Sequence, residues 1–270
     1  MRRVTSMIDE QMEAASGLTE AQRQERQQRA IAAAVGLVLA LDTSTAAMTV
    51  AMLRGGETVA ERSAPGERNH GVHLLPAVQE LTRSLALRPR DLAAVVVGAG
   101  PGSYTGVRIA VTAAKTLAWT LRVPLVGVSS LAALALGAHR RLGSAAGAAG
   151  APAAEGGRRW LVPLLDARRG QAFTAVYEAD GGGAAGDELQ ELAADGIRLV
   201  RDWADELRER AAAAGGPLEL VFCGETAGLR KRCLQRLAPA AAAVPQAGCA
   251  RSRCRASWRP ATSARSAWRA

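Results

Sequence analysis

The chain has 270 residues, of which 49% are hydrophobic and only 3% aromatic, so it can form one large domain or two small ones. Outside the glycine-rich segment near residue 100 there is no run of eighteen uncharged apolar residues, and the polar start lacks a signal-peptide pattern. The sequence therefore predicts a cytoplasmic protein without a membrane span. The net charge of +9 comes from ten basic residues after Glu225; the part before them carries −1, which argues against a basic surface spread over the folded elements.

The first half predicts a mixed sheet with helices packed against it. Apolar and alternating runs indicate three strands over 37–64. A helix follows over 69–87, with one stripe of apolar residues at helical spacing. The stripe consists of Leu74, Leu75, Val78, Leu81 and Leu85. The elements expected next are a strand over 91–100, a helix over 104–121, a strand over 123–130 and a helix over 130–140, an order typical of parallel crossovers.

The second half repeats this strand-first order in a shorter form. A low-complexity linker is expected over 141–159, and a hairpin, a strand, a helix and a last strand over 160–232. The first lobe is thus predicted over 37–140 and the smaller second lobe over 160–232. Residues 1–36 predict a flexible extension. Residues 233–270 predict an Arg-rich tail that is disordered or translated from a shifted reading frame, with a nucleic-acid-binding tail as the alternative.

The segment GAGPGSYTGVR raises the question of phosphate binding. A P-loop needs a lysine after its last glycine, but Gly106 is followed by valine and arginine. A dinucleotide fold needs a downstream acid, and none occurs between Asp91 and Glu155. A nucleophile elbow needs flanking glycines that Ser103 lacks. Two interpretations stay open: backbone N–H groups that bind an anion, or a sharp turn that packs the helix close to the sheet.

Histidine and cysteine spacing favours no metal site. His70 and His73 are three residues apart at the start of a predicted helix, and the third histidine, His139, lies on a different helix. A solvated or helix-start role is favoured over metal binding. The four cysteines lie in the last fifth of the chain without a C-x-x-C pair, which predicts reduced and unpaired thiols.

Four segments in order resemble the TsaB (YeaZ) family: LALDTSTAAMTVAML, NHGVHLLPAVQELT, GAGPGSYTGVRIAVTAAKTLAWTLRVPLVGVSSLAAL and LLDARRGQAFTAVY. The resemblance implies an α/β actin-like ATPase fold with two ribonuclease-H-like lobes, each a mixed sheet flanked by helices. It also implies a role as non-catalytic scaffold and dimerisation subunit in threonylcarbamoyladenosine synthesis. The modified base is the adenosine 3′ of the anticodon in tRNAs that read codons beginning with A.

The resemblance implies a set of partners as well. The subunit is expected to bind the catalytic relative TsaD as a heterodimer, in an assembly that includes the ATPase TsaE. A functional link to the threonylcarbamoyl-AMP synthase is implied, with only indirect contact to tRNA. Without TsaD a homodimer is expected. The subunit requires no cofactor of its own, because ATP, ADP and metal belong to the partner subunits.

By position, the resemblance places the subunit contact on the helices over 70–87 and 104–121. The predicted interface residues are Val72, Ala77, Gln79, Arg83, Ala110, Ala113, Ala114 and Ala118. Vestigial phosphate-binding or structural turns are expected at Asp42, Thr43, Ser44, Gly100, Gly102, Ser103, Thr105, Gly106 and Arg108. The family motif of the second lobe contributes Asp166, Arg168 and Gly170. No catalytic or metal-binding residue is expected.

The alternative is a stand-alone enzyme, either an actin-like ATPase or an M22-type peptidase-like protein. Against it, the first hairpin reads Asp42-Thr43-Ser44-Thr45, without the glycine that wraps a phosphate. The histidine spacing is H-x-x-H, whereas TsaD has H-x-x-x-H. Two segments depart from the family pattern: the extension before residue 36, and the Arg-rich end in place of the final helical region.

Overall fold

The computed structural model describes residues 36–64, 70–149, 158–180, 189–215, 218–225, 241–244 and 253–258. The strands are β1 (Leu37–Asp42), β2 (Met48–Arg54), β3 (Glu57–Ala64), β4 (Leu92–Gly98), β5 (Leu125–Val128), β6 (Arg158–Asp166), β7 (Gln171–Asp180), β8 (Gln190–Leu199), β9 (Leu218–Gly224), β10 (Ala241–Val244) and β11 (Arg253–Trp258). The helices are α1 (His70–Ser84), α2 (Tyr104–Leu121), α3 (Ser130–Ala149) and α4 (Val200–Ala214). Among the described helices, none is long and apolar enough to cross a membrane.

The first compact unit, which ends at Ser130, is built on a five-stranded mixed sheet. The strand order is β3-β2-β1-β4-β5, in which β1, β2 and β3 are antiparallel neighbours and β4 and β5 run parallel to β1. Strand β1 alternates between buried and half-buried residues, as expected for a strand with a helix layer on one face. This arrangement is the ribonuclease-H-like lobe that the resemblance implies.

Helix α2 lies close to this sheet because it contacts the sheet through very small residues. Gly106, Ala110, Ala114 and Ala118 recur every four residues and are all buried. The three alanines belong to the same core as β1, β2 and β4. The prediction that Ala110, Ala114 and Ala118 contact a partner is therefore wrong, since these side chains fill the lobe's own interior.

On helix α1, two residues also lie on a different face from the one predicted. Leu74, Val78 and Leu81 are buried as predicted, but Leu75 is 47% exposed and does not belong to the buried stripe. Ala77, predicted as a partner contact, is buried in the core instead. The buried face of α1 is centred on Leu74, Ala77, Val78 and Leu81, so Leu75 lies at its side and points outward. The predicted contacts Val72, Gln79 and Arg83 are exposed.

The second compact unit, from Leu131, repeats the plan of the first. Its strand order is β10-β11-β9-β6-β7-β8. The segment β8-β7-β6-β9 has the same order and directions as β3-β2-β1-β4, because β6, β7 and β8 are antiparallel neighbours and β9 runs parallel to β6. Beside β9 the copies differ: β11 runs antiparallel to β9, whereas the first unit has the parallel β5.

Both faces of the second sheet are covered. Trp203 and Leu207 of α4 are fully buried on one face, and Leu131 and Ala135 of α3 on the other. Helix α3 therefore packs in the second unit. The observed boundary falls after Ser130 rather than after residue 140, and the predicted linker begins inside a helix.

The expectation of a structureless tail is also wrong for part of its length. Strands β10 and β11 lie within 233–270 and extend the second sheet beyond β9. The rest of this tail and the predicted extension over 1–35 lie outside the described residues, as does most of the predicted linker. Cys223 is buried and not in a disulfide.

The close contact of α2 with the sheet can be tested by enlarging one residue. We expect Ala114→Leu to lower the free energy of unfolding by about 1–3 kcal/mol, because the added atoms overpack a fully buried position. Lys115→Leu, at the exposed neighbouring position, is the control and should change stability by less than about 0.5 kcal/mol. Urea unfolding measures both. Equal stability of the two variants would contradict the assigned orientation of α2.

Candidate functional site

The glycine-rich segment lies where three parallel strands end. β1, β4 and β5 run in the same direction, so the turn after β1, the loop from β4 to α2, and the start of α3 meet at one edge of the sheet. In open α/β sheets, ligands bind at the carboxyl edge of the strands. A ligand site in this lobe is therefore expected at this edge.

At this edge the carboxylate of Asp42 joins all three segments. Its Oδ1 accepts a hydrogen bond from the N–H of Ser44 at 2.6 Å, and its Oδ2 accepts one from the Oγ of Ser130 at 2.7 Å. The same Ser130 Oγ accepts the N–H of Gly100 at 3.2 Å, and the Ser130 N–H donates to the Gly100 carbonyl at 2.8 Å. Asp42 thus connects the turn, the loop and the helix start within the protein.

The turn and the loop are also joined directly. The hydroxyl of Thr43 donates to the carbonyl of Gly106 at 2.6 Å, and the Ser103 N–H donates to the carbonyl of Ser44 at 2.7 Å. Ser103 is the N-cap of α2, and its Oγ accepts the N–H of Gly106 at 3.3 Å. Thr43 and Ser44 are both buried. Ser44 Oγ has no hydrogen-bond partner among the described residues.

The glycines permit this contact. A methyl group at Gly98 would overlap the carboxylate of Asp42, and one at Gly102 or Gly106 would overlap the carbonyl of Ser44 or Thr43. Gly100 has a φ of +92°, which a residue with a side chain rarely adopts. The Gly100–Pro101 peptide bond is cis. The glycines are thus explained by the approach of one protein segment to another.

Of the two interpretations that the sequence left open, the geometry supports the tight turn. The N–H groups of Ala99, Gly100, Ser103, Gly106 and Val107 all donate to acceptors of the protein itself. An anion cradle would instead direct several of these groups outward. Seven of the predicted turn residues therefore form one connected structure, from Asp42 to Gly106.

The other two predicted turn residues, Thr105 and Arg108, line a groove between α1 and α2. The groove has a volume of about 580 Å³. Its apolar wall consists of Leu74, Leu75, Ile109, Ala113 and Leu117. Among the predicted interface residues only Ala113 lines it. The sequence did carry a signal for the missed residues, because α2 is apolar on more faces than one sheet contact requires.

The second-lobe motif forms a turn between β6 and β7. Oδ1 of Asp166 accepts the N–H of Arg168 at 2.8 Å, and Arg168 and Gly170 have φ values of +66° and +77°. The carbonyl of Gly170 accepts the N–H of Val200 at the start of α4. This motif holds the hairpin to the helix that follows.

In the described part of the chain, the two neighbouring histidines have no third metal-binding side chain beside them. His70 and His73 lie in the first turn of α1, and His73 is exposed. Across the described ranges no group of three or more His, Cys, Asp or Glu residues is placed to hold an ion. Metal sites in proteins need at least three such ligands.

The chain is similar to proteins named for one tRNA modification. The family model "TsaD: tRNA N6-adenosine threonylcarbamoyltransferase" matches residues 63–231. The chain is 35% identical over 198 residues to "tRNA threonylcarbamoyladenosine biosynthesis protein TsaB" of Bacillus subtilis, covering 73% of this chain and 75% of that protein. The protein of the same name from Escherichia coli is 34% identical over 54% of this chain and 57% of its own length.

A solved structure, "YeaZ from Pseudomonas aeruginosa", superposes with a TM-score of 0.50 at 30% identity. The match covers 62% of this chain and 68% of that one. It agrees with the two-lobed actin-like ATPase fold indicated by the strand order of both sheets.

The close approach at Gly106 can be tested by adding a methyl group. We expect Gly106→Ala to lower the free energy of unfolding by about 1–3 kcal/mol, since α2 must move away from the turn at Thr43. Gly137→Ala in α3, where nothing lies within 4 Å of the added atom, is the control and should raise stability by up to about 1 kcal/mol. Chemical denaturation compares them. A neutral Gly106→Ala would show that the contact is not required.

Proposed function

Because the chain belongs to the TsaB family, we propose that it is the non-catalytic scaffold and dimerisation subunit that binds TsaD in tRNA threonylcarbamoyladenosine biosynthesis. In this role it supports transfer of the threonylcarbamoyl group to the adenosine 3′ of the anticodon in tRNAs that read codons beginning with A. The comparison that supports the pathway is the B. subtilis protein, whose name states it and which matches over most of both chains.

The main structural support for the scaffold role is the groove between α1 and α2. Leu75 is 47% exposed beside it, and Val72, one helical turn earlier, is 67% exposed. Exposed apolar side chains around a groove are typical of protein-binding surfaces. The family resemblance places the subunit contact on the same two helices, so we assign the groove to TsaD, and to a second copy of this chain when TsaD is absent.

The turn at the sheet edge supports a non-catalytic role. A catalytic carboxylate must reach substrate or metal, but the carboxylate of Asp42 accepts hydrogen bonds from Ser44 and Ser130 of its own lobe. We therefore propose that the chain requires no cofactor, and that TsaE and the threonylcarbamoyl-AMP synthase supply the remaining activities. ATP or peptide hydrolysis by the purified chain without TsaD would contradict this.

The groove assignment can be tested with two substitutions at similarly exposed positions. We expect Leu75→Asp to reduce co-purification with TsaD at least tenfold, because it places a charge against the apolar wall of the groove. Val59→Asp on β3, 45% exposed in the same lobe, is the control and should retain TsaD. Thermal melts establish that both variants fold.

The pathway itself is tested by complementation. In a strain depleted of its own TsaB, the wild-type chain should restore threonylcarbamoyladenosine in total tRNA, measured by mass spectrometry, and Leu75→Asp should not. A wild-type chain that binds TsaD without restoring the modification would overturn the function. A Leu75→Asp variant that keeps TsaD would overturn only the interface.

A further inference from the structure

The outer face of α2 has a stripe of aromatic and basic side chains outside the core, and of these only Arg108 also lines the groove. The stripe is formed by Tyr104, Arg108, Lys115, Trp119 and, one residue beyond the helix, Arg122. We call these five residues the α2 stripe. At 3.6 residues per turn they share one face, which lies to one side of the row of buried alanines. Trp119 is 87% exposed and Tyr104 is 74% exposed.

The basic residues of the stripe are evenly spaced. Arg108, Lys115 and Arg122 are seven residues apart, so each is about 10 Å from the next along the helix. No acidic residue occurs between Asp91 and Glu155, so neither α2 nor its adjoining loops supply a carboxylate. The ion pairs found among the described residues involve none of the three.

The aromatic residues are placed for stacking. The guanidinium of Arg108 lies 5.2 Å from the centre of the Tyr104 ring, and its Nη1 is 3.4 Å from the tyrosine hydroxyl. These two side chains form one exposed pair at the start of the helix. Trp119 lies about four turns further along, with Lys115 one turn before it.

We propose that the α2 stripe binds RNA, with Tyr104 and Trp119 stacking on unpaired bases and the three cations contacting phosphates. Aromatic side chains alternating with basic ones are the pattern by which proteins hold single-stranded segments. Loops of folded RNA expose bases in this way. The proposal rests on the proposed function, which makes tRNA the substrate, and it replaces indirect contact with a direct one.

The charge of the stripe favours RNA over a protein partner. The centres of protein interfaces are depleted of charged residues. On α2 the apolar wall of the groove lies on the side toward α1, Arg108 lies at the edge of the groove, and Lys115 and Arg122 are exposed outside it. A protein partner in the groove would therefore leave the stripe at its rim, open to a polyanion.

The test measures binding of an unmodified tRNA transcript to the full chain, alone and in complex with TsaD, by fluorescence anisotropy. We expect Trp119→Ala to weaken binding at least fivefold, which corresponds to the loss of one stacked base. The double variant K115A/R122A, which leaves the groove lining intact, should reduce the slope of log affinity against log salt by about 1.4, as expected for two lost phosphate contacts.

The matched control is R201A/R208A, which removes two exposed cations from α4 in the other lobe. This variant should leave tRNA binding unchanged. All three variants should retain TsaD in co-purification and keep the wild-type melting profile, because the substituted side chains are exposed or half-exposed.

The outcomes separate this inference from the proposed function. Unchanged tRNA affinity and salt slope in both stripe variants would overturn it. Loss of TsaD in a stripe variant would also overturn it, since the stripe would then belong to the protein interface. Failure of the wild-type chain to restore the modification would instead refute the proposed function. The effect of the stripe variants on tRNA affinity would still decide whether the stripe binds RNA.

Discussion

The contact between the turn after β1 and the loop before α2 is the constraint on which the first lobe depends. Asp42 accepts hydrogen bonds from the turn and from Ser130, and the glycines let the loop meet the turn backbone to backbone. This contact fixes the start of α2 at the sheet. The helix can then lie close only through Ala110, Ala114 and their neighbours, because larger side chains would lift it from β4.

Close packing on one face determines what the other faces of α2 present. With small residues filling the sheet contact, Ile109 and Leu117 are left to line the groove toward α1, and the bulky Trp119 is left in solvent. One helix thus carries a core face, an apolar groove wall and a basic aromatic face.

Regular elements were predictable where hydrophobic periodicity was strong. The helix over 104–121 was predicted with the observed bounds. The rotation of each helix about its own axis was harder to predict. Leu75 and Ala77 lie in adjacent rows of α1, and hydrophobic periodicity could not decide which row faces the sheet. Strand β10 was missed because residues 241–244 are apolar without alternation. Strand β11 was missed although residues 253–258 alternate between polar and apolar; β11 pairs with β9, and β10 pairs with β11.

The sequence by itself determined the family, the order of strands and helices, and the failure of phosphate-loop and dinucleotide motifs, because these depend on residue type and spacing along the chain. Only the tertiary structure decided what the glycines of GAGPGSYTGVR are for. Their neighbours are Thr43 and Ser44, some sixty residues earlier, and no local pattern reports a contact over that separation. The same holds for the alanines of α2: a small residue suits a core or an interface equally, and only the position of the sheet distinguishes them.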